Sequence, residues 1–234
     1  MRSERGIALV MVILFTAFLS VLALGLLLAV FVDRLATGNM SASVAMFYAA
    51  DAGIELAARD LAETSDWDTV LSGSMQGSFT DGAPGGLRKI PGGGTIDLTA
   101  ATNMLNCLKP SSCTAAQMNA NTPRRPWGSD NPRWRLYAYG PFESMAPVAR
   151  PAPCYLAVWI ADDSREQDSD PESDATEEES GHGIVRLHAE TFAAKGSTRV
   201  IEAELTRACK AELGGACLPG IRVQSWQELR QSIP

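Results

Sequence analysis

The stretch IALVMVILFTAFLSVLALGLLLAVFV, Ile7 to Val32, decides how the rest of the chain is read. It carries no charge, and Thr16 and Ser20 are its only polar side chains. A helix of that length rises about 39 Å, enough to cross a hydrocarbon core about 30 Å thick. No proline occurs through Ala62, so nothing forces the helix to stop where the apolar run ends. Beyond it the pattern turns amphipathic: Met40, Val44, Phe47, Ala50, Ile54, Ala57 and Leu61 recur at steps of three and four. Ser41, Ser43, Asp51, Glu55, Arg59 and Asp60 lie off that stripe, and Glu55 with Arg59 makes a favourable i,i+4 pair. The spacing predicts one long helix over residues 7–63, apolar all round in its first half and one-sided in its second.

A cleaved secretory signal has an apolar core of about 7–15 residues followed by a small-residue cleavage site. The run here is longer and continues into a helix. A plain signal anchor accounts for the length and for Arg2 and Arg5, which would stay on the cytoplasmic side. It does not account for a charged leader ending in Gly6 directly against the apolar run, nor for the unbroken amphipathic extension.

Those two details resemble a type IV prepilin. Arg5-Gly6-Ile7-Ala8-Leu9-Val10 is similar to the start of the PilX-like minor pilins. Phe47-Tyr48-Ala49-Ala50-Asp51-Ala52-Gly53-Ile54 resembles their A-x-x-A-A-E-A-G segment, with Asp51 in place of the usual Glu. The resemblance implies that a prepilin peptidase cuts between Gly6 and Ile7 and methylates the new terminus. It further implies that the helix packs among other pilins in a type IV pilus after waiting in the inner membrane. Major pilins carry Glu five residues into the mature chain, and Met11 stands there in this one. That departure favours a low-copy or tip position, with a tip adhesin as a further partner and adhesion or motility as the role. The tip pseudopilin of a type II secretion system, whose start also lacks the early glutamate, is the alternative in the same architecture. A calcium-dependent tip adhesin or binding module is the alternative of a different class.

On this reading residues 1–6 are a leader, 7–32 the transmembrane half of the helix and 33–63 its amphipathic half. Residues 64–132 are rich in Gly, Ser, Thr, Asn and Pro and predict a loop-rich variable segment, with a short helix at Asp97–Leu108. Strand signals occupy 133–208. Trp134, Leu136 and Ala138 alternate with Arg133, Arg135, Tyr137 and Tyr139, and Cys154–Ala161 is apolar enough for a strand buried on both faces. Gly183–Ala194 and Ser197–Arg207 predict a hairpin across Lys195-Gly196, with Ile201, Ala203 and Leu205 on one face. The predicted fold is α+β: a long amino-terminal helix on a mainly antiparallel sheet of four strands. Residues 209–234 read as a disulfide loop and a polar tail, with a short closing helix within Leu218–Pro234.

The net charge of −7 is concentrated, because residues 162–179 hold ten acids and one Arg, leaving the remainder at +2. Without clustered Lys and Arg the chain is not read as a nucleic-acid binder. Within the acidic loop 162–180, Asp168, Asp170, Glu172, Asp174 and Glu179 fall at the first, third, fifth, seventh and twelfth places of an EF-hand loop. Ser173 replaces the turn glycine and Pro171 interrupts the pattern, so a solvated loop and a Ca²⁺ site both stay open. Five cysteines lie on the non-cytoplasmic side of the predicted anchor, where disulfides persist. Cys107 with Cys113 and Cys209 with Cys217 are local candidate pairs, the second resembling the carboxy-terminal staple of many pilins. Cys154 is then the odd thiol, although spacing alone does not fix pairing.

Catalysis has little to stand on. His182 lies in a turn between glycines, and His188 is expected to point outward from its strand. Asp162 and Asp163 are adjacent and face opposite sides, a poor arrangement for a carboxylate pair. No cofactor is expected beyond the open Ca²⁺ reading, and the chain is not read as an enzyme.

Overall fold

The computed structural model describes residues 4–120, 128–145, 153–166, 168–174, 182–211 and 217–229, with backbone alone at 4–6, 195, 208–211 and 217–219. The chain divides into two compact units, Met1–Val44 and Ala45–Pro234. Helix α1 (Glu4–Glu63) runs through both without a break. Among the described residues of the first unit it is the only element. In the second it packs on a five-stranded antiparallel sheet.

Short elements follow α1: α2 (Asp68–Leu71), the hairpin β1 (Leu87–Lys89) and β2 (Thr95–Asp97), α3 (Leu98–Cys107) and α4 (Ala115–Ala120). The large sheet then comprises β3 (Arg135–Pro141), β4 (Cys154–Asp162), β5 (Ile184–Ala193), β6 (Thr198–Ala211) and β7 (Cys217–Leu229), with α5 (Phe142–Met145) between the first two. Its spatial order follows the chain, β3-β4-β5-β6-β7, and every pairing is antiparallel. Each strand therefore pairs with its neighbour in sequence, a low-cost closure for the backbone.

Every residue of β4 is buried, as its apolar run predicts. Leu156, Val158 and Ile160 face α1, where they join Ala50, Ile54, Ala57 and Leu61. Tyr155, Ala157, Trp159 and Ala161 face away and are covered by Leu98, Ala101 and Leu105 of α3 together with Trp134 and Phe192. The sheet is thus covered on both sides. The segment 64–132, read from sequence as loop, supplies the second cover through α3 and its hairpin. Its helix begins where expected, because Asp97 accepts hydrogen bonds from the Thr99 and Ala100 amides as a side-chain N-cap. Trp159 Nε1 donates to Thr102 Oγ1 at 2.8 Å and fixes α3 to the sheet.

Three expectations need correction. The alternation along β3 breaks at a bulge between Leu136 and Ala138, so Tyr137 and Ala138 both face α1 while Trp134, Leu136 and Tyr139 face α3. The described part of the tail is a strand and not a helix: β7 is a thirteen-residue fifth strand paired along β6. The apolar stripe of α1 is right from Phe47 onward, with Met46 and Ala49 buried beside it, whereas Met40 and Val44 are exposed.

Cys107 and Cys113 form the disulfide that their spacing suggested, and Cys154 is free and buried in β4. Burial pushes the Cys154 thiol up to about 12, which keeps it protonated and inert. The side chains of Cys209 and Cys217 lie outside the described residues. Opening the Cys107–Cys113 loop with a double Ser substitution is expected to lower stability by about 2 kcal/mol through loop-closure entropy. Urea unfolding of oxidised and substituted protein, compared at one pH, checks this.

Candidate functional site

Residues 7–42 of α1 are exposed throughout. Ile7, Leu9 and Met11 are each at least 60% exposed, and the same holds for most large apolar side chains as far as Val32. The helix is long and apolar enough to cross a membrane. Its two polar side chains are satisfied internally: Thr16 Oγ1 donates to the Ile13 carbonyl at 3.0 Å and Ser20 Oγ to the Thr16 carbonyl at 2.8 Å. Such i−3 and i−4 bonding removes the cost of carrying hydroxyls into hydrocarbon. Gly6 and Ile7 sit within helical backbone, as do Ala8 and Leu9, and the Arg5 side chain lies outside the described residues.

The Ala-Ala-Asp-Ala-Gly segment is where α1 seats on the sheet. Ala49 and Ala50 are fully buried. A Cβ built on Gly53 would stand 3.0 Å from both Leu156 methyls and from a Val158 methyl, so any larger residue would require these methyls to give way. Ala52 packs partly buried against the same core. Asp51 points to the rim, where Asp51 Oδ1 accepts a hydrogen bond from Trp226 Nε1 at 3.1 Å. Phe47 meets the Trp226 ring edge-on at 5.6 Å. The segment therefore does two jobs: its small residues set the helix–sheet distance and its acid ties down β7. Sequence reading assigned Trp226 no partner, because its strand was not recognised.

The acidic residues divide into pairs with separate partners. Asp168 Oδ1 accepts from the Asp170 amide at 2.8 Å, and Asp170 Oδ1 from the Glu172 amide at 3.2 Å, the pattern of successive Asx turns. Glu172 is ion-paired with Arg135. Asp174 Oδ1 accepts from the Gly183 amide at 2.6 Å, with His182 Nδ1 at 3.7 Å. Glu179 lies outside the described residues. Among the described residues no three acids, histidines or cysteines stand where one metal ion could be held, so the four described members of the EF-hand spacing are not gathered into a cage.

Closer to the sheet the acids are buried. Asp162 and Glu166 are 4% and 1% exposed and face each other. Burial first, and then the Glu166 carboxylate, push the Asp162 carboxyl well above the usual carboxylate range, so the pair retains one proton. Asp163 turns instead to Arg165 at 2.8 Å, and Arg165 reaches on to Glu204 at 2.9 Å.

His188 does not point outward as the alternation suggested. It is 5% exposed, with Nδ1 3.0 Å from Glu202 and Nε2 3.9 Å from Glu190, and the Trp134 and Trp159 rings stand edge-on to it. The tryptophans convert what would be a solvent face into an enclosed one. Burial lowers the His188 pKa, but hydrogen bonds and charge from Glu190 and Glu202 outweigh it and the net direction is upward. Burial likewise opposes ionisation of Glu202, which the histidine overcomes, leaving its pKa lowered. These groups brace one another across β5 and β6.

No family model matches this chain, and neither a curated protein nor a solved structure matches it.

Proposed function

We propose that this chain is a minor pilin: a membrane-anchored subunit released from its leader after Gly6 and incorporated through α1 into a type IV pilus, near the tip. The observation that carries the reading is a single sixty-residue helix with two characters. Its first half exposes apolar side chains on every face, while its second half is seated on the sheet by Ala49, Ala50, Gly53 and Ile54. A helix apolar all round finds its minimum in lipid or against similar helices. In the pilus, α1 helices of neighbouring subunits take the place of lipid around residues 7–32. The prepilin peptidase and the inner membrane are its partners before assembly, and other pilins are its partners afterwards, with the head exposed to the outside. Met11, in place of the early glutamate, suits a subunit that need not neutralise another's terminal amine.

Fibres sheared from the surface of cells that make this protein provide the test. The protein is expected in the sheared fraction at a small fraction of the major subunit, and a Gly6→Asp variant is expected only in the membrane fraction. Recovery exclusively with a secretion apparatus, in cells whose pili lack it, would transfer the same architecture to a pseudopilus.

A further inference from the structure

The edge of a sheet presents a row of backbone amides and carbonyls that need partners, and the chain treats its two edges differently. At the β3 edge it covers itself. The Gly77 amide donates to the Tyr137 carbonyl at 2.9 Å, the Tyr139 amide donates to the Phe79 carbonyl at 2.8 Å, and Thr80 bridges to Tyr139 in parallel. At the opposite edge no described segment pairs with the outer side of β7. Pro219 and Gly220 guard only the start of that strand. From Ile221 to Leu229 it holds neither proline nor lysine, two residues that blunt an edge. Gln224 is one extra residue, because Ser225 pairs with Glu204 while Val223 pairs with the next residue, Leu205. This bulge kinks the strand, and pairing continues on both sides of it.

The two faces beside the open edge differ in chemistry. On the α1 side Val223 and Trp226 are 46% and 42% exposed. Their register sets them beside Leu205 and Ala203 of the core, so each is covered from the β6 side and open toward the missing neighbour. On the other face a cavity of about 280 Å³ is lined by Ser225 and Gln227 of β7 with Arg186, Glu202 and Glu204. Its charges answer one another, Arg186 with Glu202 at 3.4 Å and Arg165 with Glu204 at 2.9 Å, which leaves a surface suited to uncharged polar side chains.

We propose that the outer side of β7 is a docking edge for an extended segment of a partner protein, which adds one strand along Ile221–Leu229. About nine residues span this edge, close to 30 Å of extended chain. The backbone ladder supplies affinity, and the two faces set the pattern of the segment. Apolar, β-branched residues cover Val223 and Trp226, and hydroxyl or amide side chains alternate with them over the polar cavity. A second copy of this chain suits the edge poorly. Pairing two β7 strands about a twofold axis normal to the sheet would run their α1 helices in opposite directions, so both could not enter one membrane.

A displayed library of nine-residue peptides tests this, apolar at alternate positions and varied among Ser, Thr, Asn and Gln between them, selected on the full chain in detergent micelles. The selected peptides are expected to slow amide hydrogen exchange within residues 221–229 about tenfold or more. N-methylating one alternate set of amides in the best binder is expected to weaken it about tenfold or more, and methylating the other set about threefold or less, since only one set faces β7. Docking through side chains alone would not produce that asymmetry. Val223→Lys, at a half-exposed position, is expected to leave the melting temperature within a few degrees and to weaken binding about tenfold. An empty selection, protection confined to other parts of the chain, or equal effects of the two methylated sets would overturn the proposal. A full-chain dimer in micelles that Val223→Lys dissociates would also overturn it, by making a second copy the occupant.

Discussion

Replacing Gly53 by leucine is expected to abolish cooperative unfolding of the head, and replacing it by alanine to cost up to about 2 kcal/mol. The alanine Cβ alone would press on two Leu156 methyls and one Val158 methyl at 3.0 Å. Both neighbours belong to β4 and lie in the core shared with Ile54, Ala57 and Leu187, so neither moves aside without disturbing that packing. Overpacking of that kind costs about 1–3 kcal/mol, and a longer side chain adds to it. The gain in helix propensity from removing glycine, about 1 kcal/mol, is smaller than the clash. Gly25→Ala and Gly38→Ala are the controls: nothing lies within 4 Å of a Cβ at either position, so both are expected to be neutral or slightly stabilising. Urea unfolding followed by tryptophan fluorescence separates the three cases, because Trp67, Trp134 and Trp159 all lie in the head's cores.

The second large effect is a loss of stability on the alkaline side. The native state holds a proton on the Asp162–Glu166 pair that the unfolded chain has released above about pH 4. That contribution is fully present in acid and falls as pH rises toward the raised native value, with a limiting slope of about 1.4 kcal/mol per pH unit. His188 acts in the same sense. Its folded value is raised, so its contribution is complete below about pH 6.5 and is lost as pH climbs through the folded value. Glu202, with a lowered value, opposes both only in acid, where its contribution disappears as pH falls through the folded value. Stability is therefore expected to peak on the acid side of neutrality and to decline through pH 7 to 9. Asp162→Asn supplies an amide donor to Glu166 in place of the proton, and is expected to flatten the slope and raise stability at about pH 8 by 1 kcal/mol or more. Urea midpoints of the two proteins across that range decide it. A wild-type profile flat from pH 5 to 9 would show that the pair is ionised or solvated in the native state.

The parts of this fold that were legible in sequence are those governed by period alone. The uniform run at Ile7–Val32, the doubly buried β4 and the hairpin of β5 and β6 follow from spacing and composition, and the register places Ile201, Ala203 and Leu205 in the core as expected. The misreadings have one physical source, the dependence of a residue's environment on what packs over it. His188 alternates onto the face away from α1, and only the Trp134 and Trp159 rings make that face an interior. Residues 217–229 contain Pro219 and Gly220, which resembles a tail, yet an edge strand with one unpaired side tolerates both. The bulge at Tyr137 shifts the side-chain alternation of β3, and no local signal announced it.

The candidate site divides along the same line. The small residues Ala49, Ala50 and Gly53 were recognisable as a motif, and the structure supplies their reason in the close seat against Leu156 and Val158. The partner of Asp51 was not recognisable, because Trp226 lies 175 residues away. The EF-hand spacing of the acidic loop was legible as a pattern only. In three dimensions its described members serve Asx turns, Arg135 and the Gly183 amide.

The central claim is that α1 is a prepilin helix, and the most direct measurement is the intact mass of the protein taken from the membranes of cells with a working prepilin peptidase. The account predicts a chain that begins at N-methylated Ile7, with residues 1–6 absent, and an unprocessed mass in the Gly6→Asp variant. A mature protein that retains Met1 to Gly6 in those cells would contradict it and leave α1 as a plain membrane anchor.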